Sequence, residues 1–168
     1  ANWVLALCAV CGIIIAGTAA AVETYWELDG NATAGWLGTT NVNPLTLKVN
    51  NTVGWRLLKS TGTPNVVGGY SGNTVSAVEG ATIGGGGYGT NQNKVTGAFG
   101  TVAGGERNSA GVRGAIAGGG SNTAAGFSAV GGGYSNTASC FYSTVGGGRA
   151  NTASSDYSPV GGGCGRTA

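Results

Sequence analysis

From Val67 onward the chain sets an aliphatic residue just ahead of a glycine-rich stretch over and over: Val67, Ile83, Val102, Ile116, Val130, Val145 and Val160. The intervals are 16, 19, 14, 14, 15 and 15 residues. An Asn recurs six residues after the aliphatic at Asn108, Asn122, Asn136 and Asn151, and Ala110, Ala124, Ala138 and Ala153 follow two residues later. Self-similarity at a fixed period marks a stacked architecture in which each unit buries its apolar face on its neighbours. The unit is short for a helical repeat. Each glycine also costs a helix about 1 kcal/mol, so the building blocks must be short strands and turns.

One unit, residues 127–140, shows how this works. Gly131, Gly132 and Gly133 can turn the chain sharply through positive φ, and Asn136 either takes a left-handed corner or bonds its side chain to nearby backbone. Two strands remain, Ser128-Ala129-Val130 and Thr137-Ala138-Ser139. Stacking successive units puts Val over Val, Ala over Ala and Asn over Asn, and an Asn ladder satisfies its own amides. Val102, Ile116, Val130, Val145 and Val160 with Asn108, Asn122, Asn136 and Asn151 are the expected rung residues. With one aliphatic and one Ala per rung the core is thin, which points to several chains pooling their faces in a homo-oligomer.

Ahead of the repeats, Pro44-Leu45-Thr46-Leu47-Lys48-Val49-Asn50 alternates apolar and polar, and Trp55-Arg56-Leu57 does so less cleanly beyond Asn50-Asn51. That pattern predicts a β-hairpin with one buried face, on which Trp26 and Trp36 are expected to pack. Further upstream, the apolar run from Trp3 to Ile15 leads into Ala16-Gly17-Thr18-Ala19-Ala20-Ala21. An apolar stretch ending in small residues is the pattern of a secretory signal peptide, with a membrane anchor as the alternative. The expected organisation is a truncated signal or anchor helix over residues 1–21, a β-rich lead-in over 22–64 and a repeat region over 65–168 that is incomplete at its C-terminus.

Composition narrows the function. The chain of 168 residues holds 36 Gly, 8% charged residues, 3 Pro and neither His nor Met. Without His and with six carboxylates, most routes to acid–base, triad or metal catalysis are missing, so an enzyme is not expected and no cofactor or metal is assigned. Collagen would need Gly at every third position and abundant Pro. Disorder fits poorly with aliphatics at fixed phase. A formal charge of +2 gives no field that calls for nucleic acid. Gly84–Gly87 lies outside a phosphate-loop frame, and calcium-binding nonapeptides would need an Asp in each unit where only Asp156 is present. Cys140 and Cys164 could pair with each other or between chains in an oxidising compartment.

Two sets of positions are candidates for recognition. Three residues before the aliphatic stand Phe99, Arg113, Phe127, Tyr142 and Tyr157. Strand alternation would put this column on the face opposite the valines, so Phe99, Phe127, Tyr142 and Tyr157 form a candidate ligand-facing stripe suited to sugar stacking or protein docking. Packing between chains would use the same rings. Residues just after the glycines vary from unit to unit, at Glu106, Arg107, Tyr134 and Arg149 among others, as a binding surface on a fixed scaffold would.

Units such as Tyr142-Ser143-Thr144-Val145-Gly146-Gly147-Gly148-Arg149-Ala150-Asn151-Thr152-Ala153-Ser154 resemble the left-handed parallel β-roll repeats in the YadA-like head of trimeric autotransporter adhesins. The lead-in, with Trp26-Glu27-Leu28-Asp29-Gly30-Asn31, Leu37-Gly38-Thr39-Thr40-Asn41 and Pro64 to Asn73, is similar to bacterial secreted or surface fibre proteins, some of which end in an endosialidase-type intramolecular chaperone. The resemblance implies an all-β, homotrimeric, non-enzymatic fibre or adhesin head, secreted or at the bacterial surface, that binds a host-surface protein, matrix or polysaccharide. A phage-like tail fibre recognising carbohydrate is the alternative, and an ice-binding solenoid a more distant one, since Thr123, Thr137 and Thr152 form a single column.

Overall fold

A computed structural model describes residues 38–168. The expected signal or anchor segment, Trp26 and Trp36 lie outside the described residues. Within them the chain is all β, without a helix, and forms a parallel β-solenoid of about six turns. Two strands per turn feed two sheets. One sheet continues from Asn65–Gly68 through Thr82–Ile83, Thr101–Val102, Ala115–Ile116, Ala129–Val130 and Thr144–Val145 to Pro159–Val160. The other stacks Thr74–Val75, Lys94–Val95, Ser109–Ala110, Thr123–Ala124, Thr137–Ala138 and Thr152–Ala153.

The register is the one the repeat requires: Val130 pairs with Ile116 on one side and Val145 on the other, and Ala124 lies between Ala110 and Ala138. After Asn65–Gly68 each solenoid strand is only two residues long, shorter than the triplets expected, so one residue per strand points in and one out. Inward positions of the first sheet are Val67, Ile83, Val102, Ile116, Val130, Val145 and Val160, all buried. They face Val95, Ala110, Ala124, Ala138 and Ala153, so that a branched residue meets a small one across most rungs.

The Asn column is the second layer of the core. Asn73, Asn93, Asn108, Asn122, Asn136 and Asn151 are all buried. Each Oδ1 accepts the backbone N–H of the Asn one turn on, as in Asn136 N to Asn122 Oδ1 at 2.9 Å, and Arg166 N closes the series on Asn151 Oδ1 at 3.0 Å. Each Nδ2 donates to one glycine carbonyl of its own turn and one of the next. For Asn122 these are Gly118 O at 2.9 Å and Gly133 O at 3.0 Å. Of the two roles open to Asn136, the backbone-bonding one is realised, and the left-handed corner belongs to its neighbour Ser135 at φ 54°.

The lead-in caps this stack. Leu45–Val49 and Thr52–Leu58 form the expected antiparallel hairpin, turned by Asn50 and Asn51 at φ 46° and 58°, the two positive values of a type I′ turn. Its outer side chains are not buried as the alternation predicted: Leu47, Trp55 and Leu57 are all exposed. What the hairpin covers is an edge. Thr52–Leu58 pairs antiparallel with Asn65–Gly68 and supplies the hydrogen bonds that an earlier turn would give.

In the other sheet the first strand has no earlier turn, and Arg56 takes its place. Within the stack each Asn carbonyl accepts a backbone N–H from the preceding turn, as Asn136 O does from Thr123 N. Asn73 O accepts from Arg56 Nη2 at 2.9 Å instead. The buried Arg56 Nε has no partner, so part of the gain is offset. Arg56→Met is expected to cost about 1 kcal/mol, the net value of one hydrogen bond, with faster amide exchange concentrated at residues 73–75.

Candidate functional site

The solenoid turns at two corners, and each carries one of the predicted columns. At the first, Cys140–Ser143 closes a turn through Ser143 N to Cys140 O at 3.3 Å, with Phe141 and Tyr142 in its centre. Gly97–Gly100, Gly111–Gly114 and Ser155–Ser158 close in the same way. The third residue of these four corners has positive φ every time, Phe99 59°, Arg113 51°, Tyr142 59° and Tyr157 59°, and Phe127 has the same conformation at 57° in the turn between them.

This changes the origin of the aromatic stripe. Its members sit in the corners and not on strands, so left-handed backbone, not strand alternation, directs them outward. Gly or Asn is the usual occupant of such a turn position, and a bulky residue there costs on the order of 1 kcal/mol or more. Stability alone does not call for bulky side chains at five consecutive corners, four of them aromatic.

The stripe is a continuous stack. Tyr142 and Tyr157 lie 5.1 Å apart at 11°, and Phe127 and Tyr142 5.3 Å apart at 42°. Arg113 lies between two rings, its guanidinium carbon 5.3 Å from the Phe99 centroid and 5.1 Å from that of Phe127. Phe99, Tyr142 and Tyr157 are exposed, while Phe127 is half-buried.

Phe141 joins this group and was not singled out from the sequence. It sits at the second corner position, the place held by Gly126 one turn earlier, in a turn of 15 residues where the one before has 14. Its ring rests on Gly126, whose missing side chain makes room, and it stands 6.1 Å from Phe127 and 6.4 Å from Tyr142. Asp156 occupies the same place in the next turn and accepts the Phe141 N–H through Oδ1 at 3.0 Å.

The second corner carries the variable positions. Glu106, Gly120, Tyr134, Arg149 and Cys164 form a column of single parallel bridges. Arg107, Ser121, Ser135 and Ala150 follow them at φ 54–56°. The Tyr134 ring covers Gly120, and Glu106 Oε2 accepts from Asn91 Nδ2 at 3.1 Å. Asn91 belongs to the small excursion that makes the Ile83–Val102 interval long, where Tyr88 and Asn91 pair across a turn and Tyr88 projects into solvent. The outward column of the second sheet reads Thr74, Lys94, Ser109, Thr123, Thr137, Thr152, so hydroxyl residues are interrupted by Lys94. Cys140 and Cys164 lie at different corners, both as free thiols. Compared with known protein families, curated proteins and solved structures, the chain matches none of them.

Proposed function

We propose that the chain is an extracellular, non-enzymatic fibre or adhesin module, a rigid solenoid that displays corner side chains to a surface ligand and works as a homotrimer. The observation that carries this reading is the contrast between layers. Rung positions repeat nearly unchanged over about six turns, whereas the corners present rings and charges that differ from turn to turn. A ladder of backbone and Asn hydrogen bonds fixes those corners, as a recognition surface on a stiff support requires.

The thin core favours association of several chains, and the resemblance of the repeats to trimeric adhesin heads puts the number at three. The outward column of the first sheet, Thr82, Thr101, Ala115, Ala129 and Thr144, is uncharged and built of small residues, so copies could approach closely along it. Size-exclusion chromatography with light scattering on the purified chain is expected to return three times the 16.2 kDa chain mass. A stable folded monomer would overturn the trimer. Adhesion of that species to immobilised matrix proteins, cells and polysaccharides tests the binding role, and failure on every surface would end it.

A further inference from the structure

Arg113 is the one charged member of the stripe, with its guanidinium carbon over the Phe99 ring at 5.3 Å from the centroid and over the Phe127 ring at 5.1 Å. The side chain is exposed between these two rings, so its N–H donors are open to solvent. Among the described residues, no side chain accepts from it. The described acids are engaged elsewhere: Glu106 is bonded to Asn91 at the opposite corner, Asp156 holds the Phe141 N–H about three turns along, and Glu79 lies beside Gly62. Beside this fork stands the cluster of Phe127, Phe141 and Tyr142, in which one face of Phe141 lies on Gly126 and the side chain is still 55% exposed.

Resting on the adhesin reading, we infer that Arg113 and the Phe127–Phe141–Tyr142 cluster form a binding site for a carboxylated polysaccharide, in which the Arg113 fork takes a hexuronate carboxylate and Phe141 takes the apolar face of a sugar ring. A guanidinium edge matches a carboxylate through two parallel hydrogen bonds, which a Lys ammonium cannot reproduce. An exposed aromatic face suits the C–H face of a pyranose. The corners repeat about every 4.8 Å along the stack, so the track is linear and suits a polymer. An extended peptide is disfavoured because it would need free backbone groups to pair with. Here those groups bond to adjacent turns, as in Phe99 N to Glu79 O, Arg113 N to Ala98 O and Phe127 N to Val112 O.

The test measures binding of the full chain to polygalacturonate, with neutral dextran as the uncharged comparison and thermal unfolding checked for every variant. Wild type is expected to bind polygalacturonate and not dextran. Arg113→Lys keeps the charge yet is expected to weaken binding about tenfold or more, the loss of a bidentate charged hydrogen bond. Phe141→Ala should weaken it several-fold. Lys94→Gln, which removes one positive charge from the second sheet's outer face, should leave it unchanged. Equal binding by Arg113→Lys and wild type, or an equal loss in Lys94→Gln, would overturn the site. No binding of polygalacturonate by a chain that adheres to other surfaces would overturn the site and leave the adhesin reading intact.

Discussion

Gly133→Ala is expected to destabilise the solenoid by about 3 kcal/mol or more, read as a fall in the urea midpoint at unchanged slope. Two costs combine. Gly133 sits at φ 87°, where an L side chain is strained. A Cβ there would also overlap the carbonyl oxygen of Gly148 in the next turn, which is backbone and has no free torsion to yield. That same oxygen accepts from Tyr134 N at 2.9 Å and from Asn136 Nδ2 at 2.8 Å, so moving it weakens the ladder at two points. Gly104→Ala provides the contrast. Its Cβ would meet nothing within 4 Å and its φ is ordinary, so the expected change is within about 1 kcal/mol and stabilising, through a less free unfolded chain. If both variants behaved alike, the close stacking of the glycine corners would be refuted.

The fate of particular residues shows what the sequence discloses about such a fold. The valines and the later asparagines could be read from the chain because one residue type recurs at one phase and a parallel stack must put like on like. Asn73 obeys the same six-residue offset from Val67 and was open to the same reading. Asn93 was hidden, because the Tyr88–Asn91 excursion moves it ten residues from Ile83. Strand alternation would also turn Phe127 and Tyr142 outward. The strands end too soon for that, and the rings point outward because their own φ is positive. Nothing in a sequence marks an aromatic residue as left-handed when Gly or Asn is the ordinary occupant. Phe141 is hidden because its turn is one residue longer than the one before: counted from the rung alanines, Cys140 falls opposite Gly126, whereas the bond from Ser143 N to Cys140 O makes Cys140 the first corner residue and Phe141 the second. Arg56 shows a further limit, since a cap is recognised only once the missing partner of Asn73 O is seen.

Asn122→Ala is expected to cost about as much as Gly133→Ala, for a different reason. The Asn122 side chain is fully buried and makes three hydrogen bonds, accepting from Asn136 N and donating to Gly118 O and Gly133 O. Ala removes all three and leaves a buried N–H without an acceptor at about 1–3 kcal/mol, plus a small void. Of the two carbonyls Gly133 O suffers less, because it still accepts from Gly120 N at 2.9 Å. Asn122→Asp separates the two functions of the amide. It keeps the acceptor for Asn136 N but, when ionised, turns a second oxygen toward the two glycine carbonyls. Protonation restores a donor, so the folded state should hold this proton more tightly than the unfolded chain, whose Asp titrates near about 3.9. The variant should therefore be most stable below about pH 4 and lose stability as pH rises toward neutrality. Urea titrations at low and neutral pH, with wild type as the baseline, read this directly. A pH-independent penalty would show that the donor half of the amide contributes nothing to the ladder.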